Sequence, residues 1–336
     1  MNNAESVQSP LLPLKIIATD VALPSQKVLS SEIDQRLGLA VGYTQKLSGI
    51  EYRFHATSTE SQAQLAAQAI TRCCTSANIE PESIDLLISA CAVPVQALPC
   101  TAAHILQASP LKDGLACFDI NASCVSFITA LQVAASLLNT SHYKRICIVS
   151  ADLASRGIDW QHEESSMIFG DGAACVIVER GNGRSGIVSQ RFETYTEGLH
   201  YCEIPAGGTL RNPRSGMCEQ DFLFHMDGKR VFRLASSLVE GYMQRLLEGA
   251  NISLDQIATI IPHQASHLSL AHMRKRLAVN PEILIDIYRY HGNQVAASLP
   301  FALHSARLKQ RLVTGKPALL IGTAAGLTFG GMVFIP

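Results

Sequence analysis

Short apolar runs alternate along this chain with segments in which apolar residues recur every three or four positions. Residues 84–93 (IDLLISACAV) and 173–180 (AACVIVER) are runs of the first kind, and residues 61–74 (SQAQLAAQAITRCC) form a segment of the second kind. Buried strands show continuous apolar runs, whereas amphipathic helices show a period of about 3.6 residues. The pattern therefore predicts an α/β protein. Thr59 and Gln62 predict a capping box where the helix of residues 61–74 begins.

The same order of strand, turn and helix occurs twice. Residues 84–180 parallel residues 257–336 in four matched segments, for example CFDINASCVSFITALQ with LIDIYRYHGNQVAASLPFAL. Chance similarity between apolar strands is the alternative explanation. We interpret the match as a duplicated α/β unit, with an N-terminal half over residues 1–183 and a C-terminal half over residues 184–336, divided at the Gly-rich turn ERGNGRSG.

Three polar turns follow strand-like runs, and they hold Cys124, His263 and Asn293. In packed α/β halves, the loops that leave the carboxyl ends of strands gather in one crevice, where ligands bind. We therefore expect these three residues to converge.

Cys124 stands where an apolar helix is predicted to begin. A helix N-terminus carries partial positive charge and free N–H donors, which lower the pKa of a thiol and favour the nucleophilic thiolate. The competing interpretation is a packing residue, because cysteine is among the most buried residue types.

His263 follows an apolar strand and is also predicted to open a helix, which it would simply cap on the competing interpretation. Asn293 is by itself an ordinary turn residue. Residues 322–331 (GTAAGLTFGG) form a Gly-rich turn whose N–H groups a substrate can approach, without the GxxxxGKS/T or GxGxxG patterns of phosphate-binding loops. A thiol, an imidazole, a carboxamide and exposed N–H groups together are suited to acyl transfer through a thioester.

Composition narrows the class of protein. The 336 residues are 47% apolar and 16% charged, and the net charge of −1 gives no reason to expect nucleic acid or an anionic membrane as a partner. The ten cysteines show no CxxC or Cys/His spacing, so no metal site is expected. The first residues lack the basic start and apolar core of a signal peptide, and no apolar run is long enough to span a bilayer. We expect a reduced, cytoplasmic protein.

The motifs DINASCVSF, PHQAS, HGNQVAAS, FGDGAA and GLTFGG follow one another over essentially the whole chain. Together they resemble the thiolase superfamily, specifically β-ketoacyl-acyl carrier protein synthase III. The resemblance implies a thiolase fold with αβαβα layers, a homodimer, and Cys124 as the nucleophile that accepts the acyl group. A second His in place of Asn293 would have indicated an elongating synthase, and a second cysteine in the last Gly-rich turn a degradative thiolase.

The resemblance also implies a mechanism. Cys124 attacks an acyl thioester, and the N–H groups of Cys124 and Ala325 hold the oxyanion. His263 and Asn293 then stabilise the enolate that a malonyl thioester forms by loss of CO₂, and this carbanion attacks the acyl-enzyme to give a β-ketoacyl product. No cofactor is expected; acyl-coenzyme A or acyl carrier protein thioesters are the implied substrates and partners.

Substrate-binding positions are predicted less directly. Leu98 occupies the place where the family inserts a side chain into the partner's acyl pocket, and Phe329 is a second candidate, with core packing as the alternative for both. The family holds the adenine of coenzyme A between a Trp and an Arg, whereas Tyr43 and Glu163 stand at those positions here and Leu47 replaces a further Arg. Because a carboxylate reverses the charge of a guanidinium and does not stack as it does, the usual grip on coenzyme A is not expected.

The segment after His263 also departs from the family. Ser266 and Leu268 stand where Asn and Arg are usual, while Arg274, Lys275 and Arg276 follow on the next helix. A solvated helix face is one interpretation of these three basic residues. The other is a docking surface for an acidic carrier protein, which would act mainly by steering.

The sequence has three alternative interpretations besides the condensing enzyme. A papain-like cysteine hydrolase also has the order Cys, His, Asn, but its CGSCW-type signature is missing. A non-catalytic partner subunit would have lost the nucleophile. The third alternative is a synthase III-like enzyme that transfers acyl groups to an alcohol or amine, or condenses two acyl thioesters, in a specialised-metabolite pathway, and the altered coenzyme A contacts favour it over the other two.

Overall fold

The computed structural model describes residues 11–336; residues 1–10, on which the predicted lack of a signal peptide partly depends, lie outside the described residues. The strands are β1 (Leu12–Pro13), β2 (Lys15–Ala22), β3 (Gln26–Leu29), β4 (Tyr52–His55), β5 (Leu86–Ser89), β6 (Ala116–Asp119), β7 (Arg145–Asp152), β8 (Gly172–Glu179), β9 (Gly186–Thr194), β10 (Cys202–Glu203), β11 (His225–Met226), β12 (Thr259–Pro262), β13 (Ala318–Ala324) and β14 (Thr328–Ile335). The helices are α1 (Ser30–Leu37), α2 (Tyr43–Ser48), α3 (Gln62–Ser76), α4 (Thr101–Ala108), α5 (Ser126–Asn139), α6 (Glu163–Ser166), α7 (Gly228–Ala250), α8 (His267–Leu277), α9 (Tyr288–His291) and α10 (Ser298–Leu308).

Two five-stranded sheets have the orders β2-β8-β7-β5-β6 and β1-β9-β14-β13-β12. In the first sheet, β7 pairs in parallel with β5 and antiparallel with β8. In the second, β13 pairs in parallel with β12 and antiparallel with β14. Strands from the segments that match in sequence therefore occupy equivalent places in the two sheets. The division at residue 183 stays a prediction, and β1, from the N-terminal part, pairs with β9 in the second sheet.

The sheets and helices form five layers. Helices α5 and α10 lie between the two sheets, where Phe127 and Leu303 share one apolar cluster with Val176 of β8 and Leu320 of β13. Helices α3 and α4 cover the outer face of the first sheet, and α7 and α8 cover that of the second. Alternate residues of a strand point to opposite faces, so each sheet supplies both its inner and its outer cluster. The predicted α/β thiolase fold with αβαβα layers is confirmed.

Two local predictions were wrong. The N-cap of α3 is Ser61, which forms a capping box with Gln64, whereas the Thr59 hydroxyl bonds to that of Thr57. The segment that begins at Leu284 does not form a regular strand. It makes a single parallel bridge to Ile260, since the chain enters it from a 3-10 turn and leaves it into the short helix α9.

Among residues 11–336, no helix combines the length and the apolar character needed to cross a bilayer.

Candidate active site

The turn that holds Cys124 joins β6 to α5. The Ser126 hydroxyl accepts a hydrogen bond from the N–H of Ala122 at 2.9 Å and donates to the carbonyl of Ser123 at 2.6 Å, which closes the turn. Ser123 has a φ of +53°, a left-handed conformation that is uncommon outside glycine. Because α5 begins at Ser126, Cys124 precedes the helix by two residues rather than opening it.

Burial raises the pKa of the Cys124 thiol to about 11. The Ser123 hydroxyl, 3.9 Å from Sγ, and the N–H groups of Ala325 and Cys124 favour the thiolate, while the buried carboxyl of Asp152 opposes it. The sequence-based expectation of a lowered thiol pKa is therefore wrong, because loss of solvent outweighs the N–H donors. The two N–H groups near the sulfur are those predicted to form the oxyanion hole, and their role stays a prediction.

His263 lies directly after β12, and its N–H donates to the carbonyl of Ile321 at 2.8 Å. The residue is only 5% exposed, and burial lowers the pKa of its imidazole to about 4. Nδ1 has no hydrogen-bond partner among the described residues. His263 is therefore neutral near pH 7, and it does not cap a helix, since α8 begins at His267 with Ser266 as its N-cap.

Asn293 is held at both ends of its side chain. Its Nδ2 donates to the carbonyl of Ala265 at 3.3 Å, and its Oδ1 accepts from the N–H of Val295 at 2.9 Å. Its backbone carbonyl accepts from the N–H of Gly170, in the FGDG segment, at 3.1 Å. These contacts fix the carboxamide beside the loop of His263.

Gly322 of β13 lies where two of the turns meet. A Cβ placed on Gly322 would be 2.8 Å from Cβ of His263 and 3.2 Å from Cγ1 of Val125, which follows Cys124 in the chain. Asn293 is joined to the same loop through Ala265. The structure thus brings together the three turns that the sequence singled out, while the catalytic roles of their side chains stay predictions.

Asp152, at the end of β7, is a site residue that sequence reasoning missed. One carboxylate oxygen accepts from the N–H groups of Ala92 and Val93 at 3.0 and 3.1 Å, and the other from that of Ala296 at 3.1 Å. Burial raises the pKa of Asp152 to about 7 in spite of these bonds. The side chain ties the loop after β5 to the turn after Asn293. A carboxylate at the end of an apolar strand was the available signal.

Two residues at the predicted coenzyme A positions, Tyr43 and Glu163, are in contact, and two others are exposed. The Tyr43 hydroxyl lies 3.5 Å from Oε1 of Glu163, and Leu47 and Leu268 are 50% and 67% exposed. Apolar side chains and a carboxylate therefore stand at the positions that the sequence analysis expected to contact coenzyme A.

Leu98 and Phe329 have opposite environments. Leu98 is 82% exposed, so packing in the core of this chain is excluded for it. Phe329 is buried against Tyr195 and Tyr242, in the cluster under α7. Its neighbour Gly330 faces Val125 instead. Because successive residues of a strand point to opposite faces, the structure corrects the substrate-binding prediction for Phe329: it is a core residue of the outer layer.

The predicted docking surface is less basic than its sequence suggests. Arg274 pairs with Asp286 at 2.5 Å, and Arg276 pairs with Glu240 at 2.9 Å. Lys275 is exposed and forms no ion pair with a described residue. Of the three predicted cations, two are thus ion-paired with residues of other segments, and the docking role stays a prediction.

The αβαβα layers and the meeting of a Cys, a His and an Asn turn define a thiolase-fold enzyme. Residues 118–197 match the family model of 3-oxoacyl-(acyl-carrier-protein) synthase III, and residues 247–335 match the model of its C-terminal part. A β-ketoacyl-(acyl-carrier-protein) synthase III of Syntrophomonas wolfei is 30% identical over 323 residues, which cover 96% of this chain and 97% of that protein. The chain belongs to the 3-oxoacyl-(acyl-carrier-protein) synthase III family and is a condensing acyltransferase.

Solved structures agree with this assignment of fold. The synthase III of Aquifex aeolicus superposes with a TM-score of 0.84 at 27% identity and covers 96% of this chain and 100% of its own. OleA of Xanthomonas campestris has a TM-score of 0.83 at 20% identity, covers 96% of this chain and 98% of its own, and shares the fold.

Proposed function

We propose that Cys124 carries the acyl group of this condensing enzyme and that His263 and Asn293 stabilise the enolate of a malonyl thioester. The observation that carries the proposal is the meeting of the Cys124 and His263 turns at Gly322, with Asn293 joined to the His263 loop through Ala265. A neutral imidazole and a carboxamide are hydrogen-bond donors suited to a developing oxyanion, since neither must first lose a charge.

In the first half-reaction, the sulfur of Cys124 forms a bond to the carbonyl carbon of an acyl thioester. The N–H groups of Cys124 and Ala325, which already face the sulfur, would hold the resulting oxyanion. Collapse of this intermediate breaks the bond to the donor sulfur, and the proton that Cys124 loses leaves with the donor thiol. Burial raises the pKa of the Cys124 thiol, so the thiol is mostly protonated before the attack and its proton is lost on the way to the acyl-enzyme.

In the second half-reaction, the malonyl C–C bond breaks and CO₂ leaves, with the electron pair delocalised onto the thioester oxygen. His263 and Asn293 would donate hydrogen bonds to that oxygen. The carbanion then attacks the acyl carbonyl, the C–S bond to Cys124 breaks, and the released thiolate takes up a proton. The steps as proposed require no cofactor.

Variants separate the two half-reactions. His263→Ala and Asn293→Ala should still form acyl-Cys124, but decarboxylation of a malonyl thioester should fall about 10²–10³-fold, the usual loss when one oxyanion donor is removed. The measurements are intact-protein mass and release of labelled CO₂, with His200→Ala at an exposed position as the control. Loss of acylation with decarboxylation intact would show that the roles are misassigned.

A second candidate function has one specific observation in its favour. Glu163 beside Tyr43, together with the exposed Leu47, replaces the positive contacts that the family uses for coenzyme A. The altered surface is compatible with transfer of an acyl group to an alcohol or amine, or with condensation of two acyl thioesters. Formation of an ester, an amide or a two-chain product without CO₂ release would establish this alternative over malonyl condensation.

The surface of Tyr43, Glu163 and Leu47 supports a carrier protein, rather than free coenzyme A, as the preferred acyl donor.

We further propose a homodimer, supported by the exposed apolar side chains of Val93, Val95 and Leu98 in one loop. A cytoplasmic, reduced setting is supported by Cys73, Cys91, Cys147 and Cys175, which are buried thiols that form no disulfide.

A further inference from the structure

A cavity of about 630 Å³ is formed by α1, the ends of β3 and β4, and the loop after β7. Its described lining residues do not include those of the turns that hold Cys124, His263 and Asn293. Arg36, Arg156, Trp160 and His55 are prominent in its walls, and we call it the Trp160 cavity. Its volume lies within the range of about 300–1,000 Å³ that is usual for small-molecule sites.

Both arginines of the Trp160 cavity are held by neutral groups. The guanidinium of Arg36 lies 3.4 Å from the centre of the Trp160 ring. Nη2 of Arg156 donates to the carbonyl of Glu60 at 2.6 Å and to that of Thr57 at 3.4 Å. Neither guanidinium forms an ion pair with any carboxylate whose side chain the structure describes, a set that leaves out Glu164. Two positioned guanidinium groups therefore line one cavity, and neither is ion-paired with a described carboxylate.

The other ionisable groups of the cavity do not cancel this charge. Glu32 lines it, but one oxygen of its carboxylate accepts from the N–H of Leu29 at 2.7 Å, where α1 begins. Burial lowers the pKa of His55, which keeps the imidazole neutral near pH 7. Behind the wall, the buried carboxyl of Asp171 accepts hydrogen bonds from the N–H and the hydroxyl of Ser155. Two cations thus face a single carboxylate at the cavity surface.

We propose that the Trp160 cavity binds a small organic oxyanion, either a phosphate ester or a dicarboxylate, through Arg36 and Arg156. The planar guanidinium offers a fork of N–H donors that matches the oxygen pairs of phosphate and carboxylate groups. The stacking on Trp160 and the backbone bonds of Arg156 position these forks before the ligand arrives, which reduces the entropy lost on binding.

Trp160 makes the proposal directly testable, because it is the only tryptophan of the chain. Titrations with glycerol 3-phosphate and with succinate, at ionic strength held constant with NaCl, should be followed by tryptophan fluorescence and by calorimetry. We expect a saturable change with one site per chain for at least one of the two probes. The probe that saturates distinguishes a phosphate ester from a dicarboxylate.

Four variants decide the interpretation. Arg36→Gln and Arg156→Gln should each weaken binding at least tenfold by calorimetry, while Arg180→Gln, at an exposed position outside the cavity, should not change it. Cys124→Ala should bind as the parent protein does, so the result does not depend on the proposed acyl-transfer chemistry. The proposal is overturned if neither probe gives a saturable signal, or if the two cavity variants bind like the parent.

Discussion

Buried, neutral histidines couple the stability of this protein to pH. Burial lowers the pKa of His263 and of His291 from 6.5 to about 4. Between these two values the unfolded chain binds more protons than the native chain, so the free energy of unfolding falls as the pH drops from 6.5 towards 4. Asp152 acts in the opposite direction: its pKa is raised from 3.8 to about 7, so its contribution falls as the pH rises through that window.

His291→Gln tests this coupling at a residue outside the proposed catalytic set. The free energy of unfolding from urea titrations should decrease less between pH 7 and pH 4.5 in this variant than in the parent, by about 2 kcal/mol. The physical reason is that glutamine does not titrate, so the variant lacks the imidazole that takes up a proton in the unfolded chain but not in the native chain. His200→Gln, at an exposed position, is the matched control. An identical pH dependence in parent and variant would contradict the assigned burial effect.

The convergence of the three candidate turns could be predicted from the sequence, but the ionisation of their side chains could not. Cys124, His263 and Asn293 stand in polar turns after apolar runs, a local pattern that is visible in one chain. The raised thiol pKa depends on how tightly the surroundings exclude water, and no local pattern encodes that. Asp152 was missed because its role depends on tertiary contacts: its partners Ala92 and Ala296 are distant in sequence.

At the scale of elements, β13 controls how closely the loop after β12 approaches the start of α5. Gly322→Ala should lower the turnover of condensation at least tenfold, because an added Cβ would meet His263 at 2.8 Å and displacements of about 1 Å can cost as much as 10²-fold. Steady-state kinetics with an acyl thioester and a malonyl thioester measure the effect.

Gly208→Ala is the control for that prediction, since a Cβ there meets nothing within 4 Å. Circular dichroism should show both variants folded. Full activity in a folded Gly322→Ala protein would contradict the view that the two turns must meet at this strand.

Some strands could be predicted from the sequence and others could not. Continuous apolar runs identified β5, β7 and β8, which are buried on both faces. The segment around Leu284 has the same apolar character, yet it makes only one bridge to Ile260, since tertiary contacts rather than local pattern decide its pairing.

At the scale of the whole molecule, the matched strand orders agree with the duplication inferred from the sequence, and the layers place both halves around α5 and α10. The distribution of surface charge could not be inferred in this way. The run Arg274, Lys275, Arg276 is basic in the sequence, but two of its charges are paired with carboxylates from other segments.

At this scale we predict that the exposed Lys275 helps to attract an acidic carrier protein that delivers the acyl group. With a carrier-protein thioester, the acylation rate should fall as salt is added, because the Debye length is only about 10 Å at 0.1 M, and it should fall further in Lys275→Glu. With a small thioester analogue, neither change should matter. Lys316→Glu, at another exposed lysine, is the control. Equal rates from coenzyme A and carrier thioesters, both independent of salt, would contradict carrier preference.

We expect that Cys124 is the only cysteine that receives the acyl group. Mapping of the acylated cysteine tests this expectation directly. The protein is incubated with a panel of acyl-coenzyme A and acyl-carrier thioesters, its intact mass is measured, and tryptic peptides are sequenced by mass spectrometry. We expect one acyl group per chain, on Cys124, and no stable adduct in Cys124→Ala. An acyl group on Cys91 or Cys117, or an unimpaired Cys124→Ala enzyme, would contradict it.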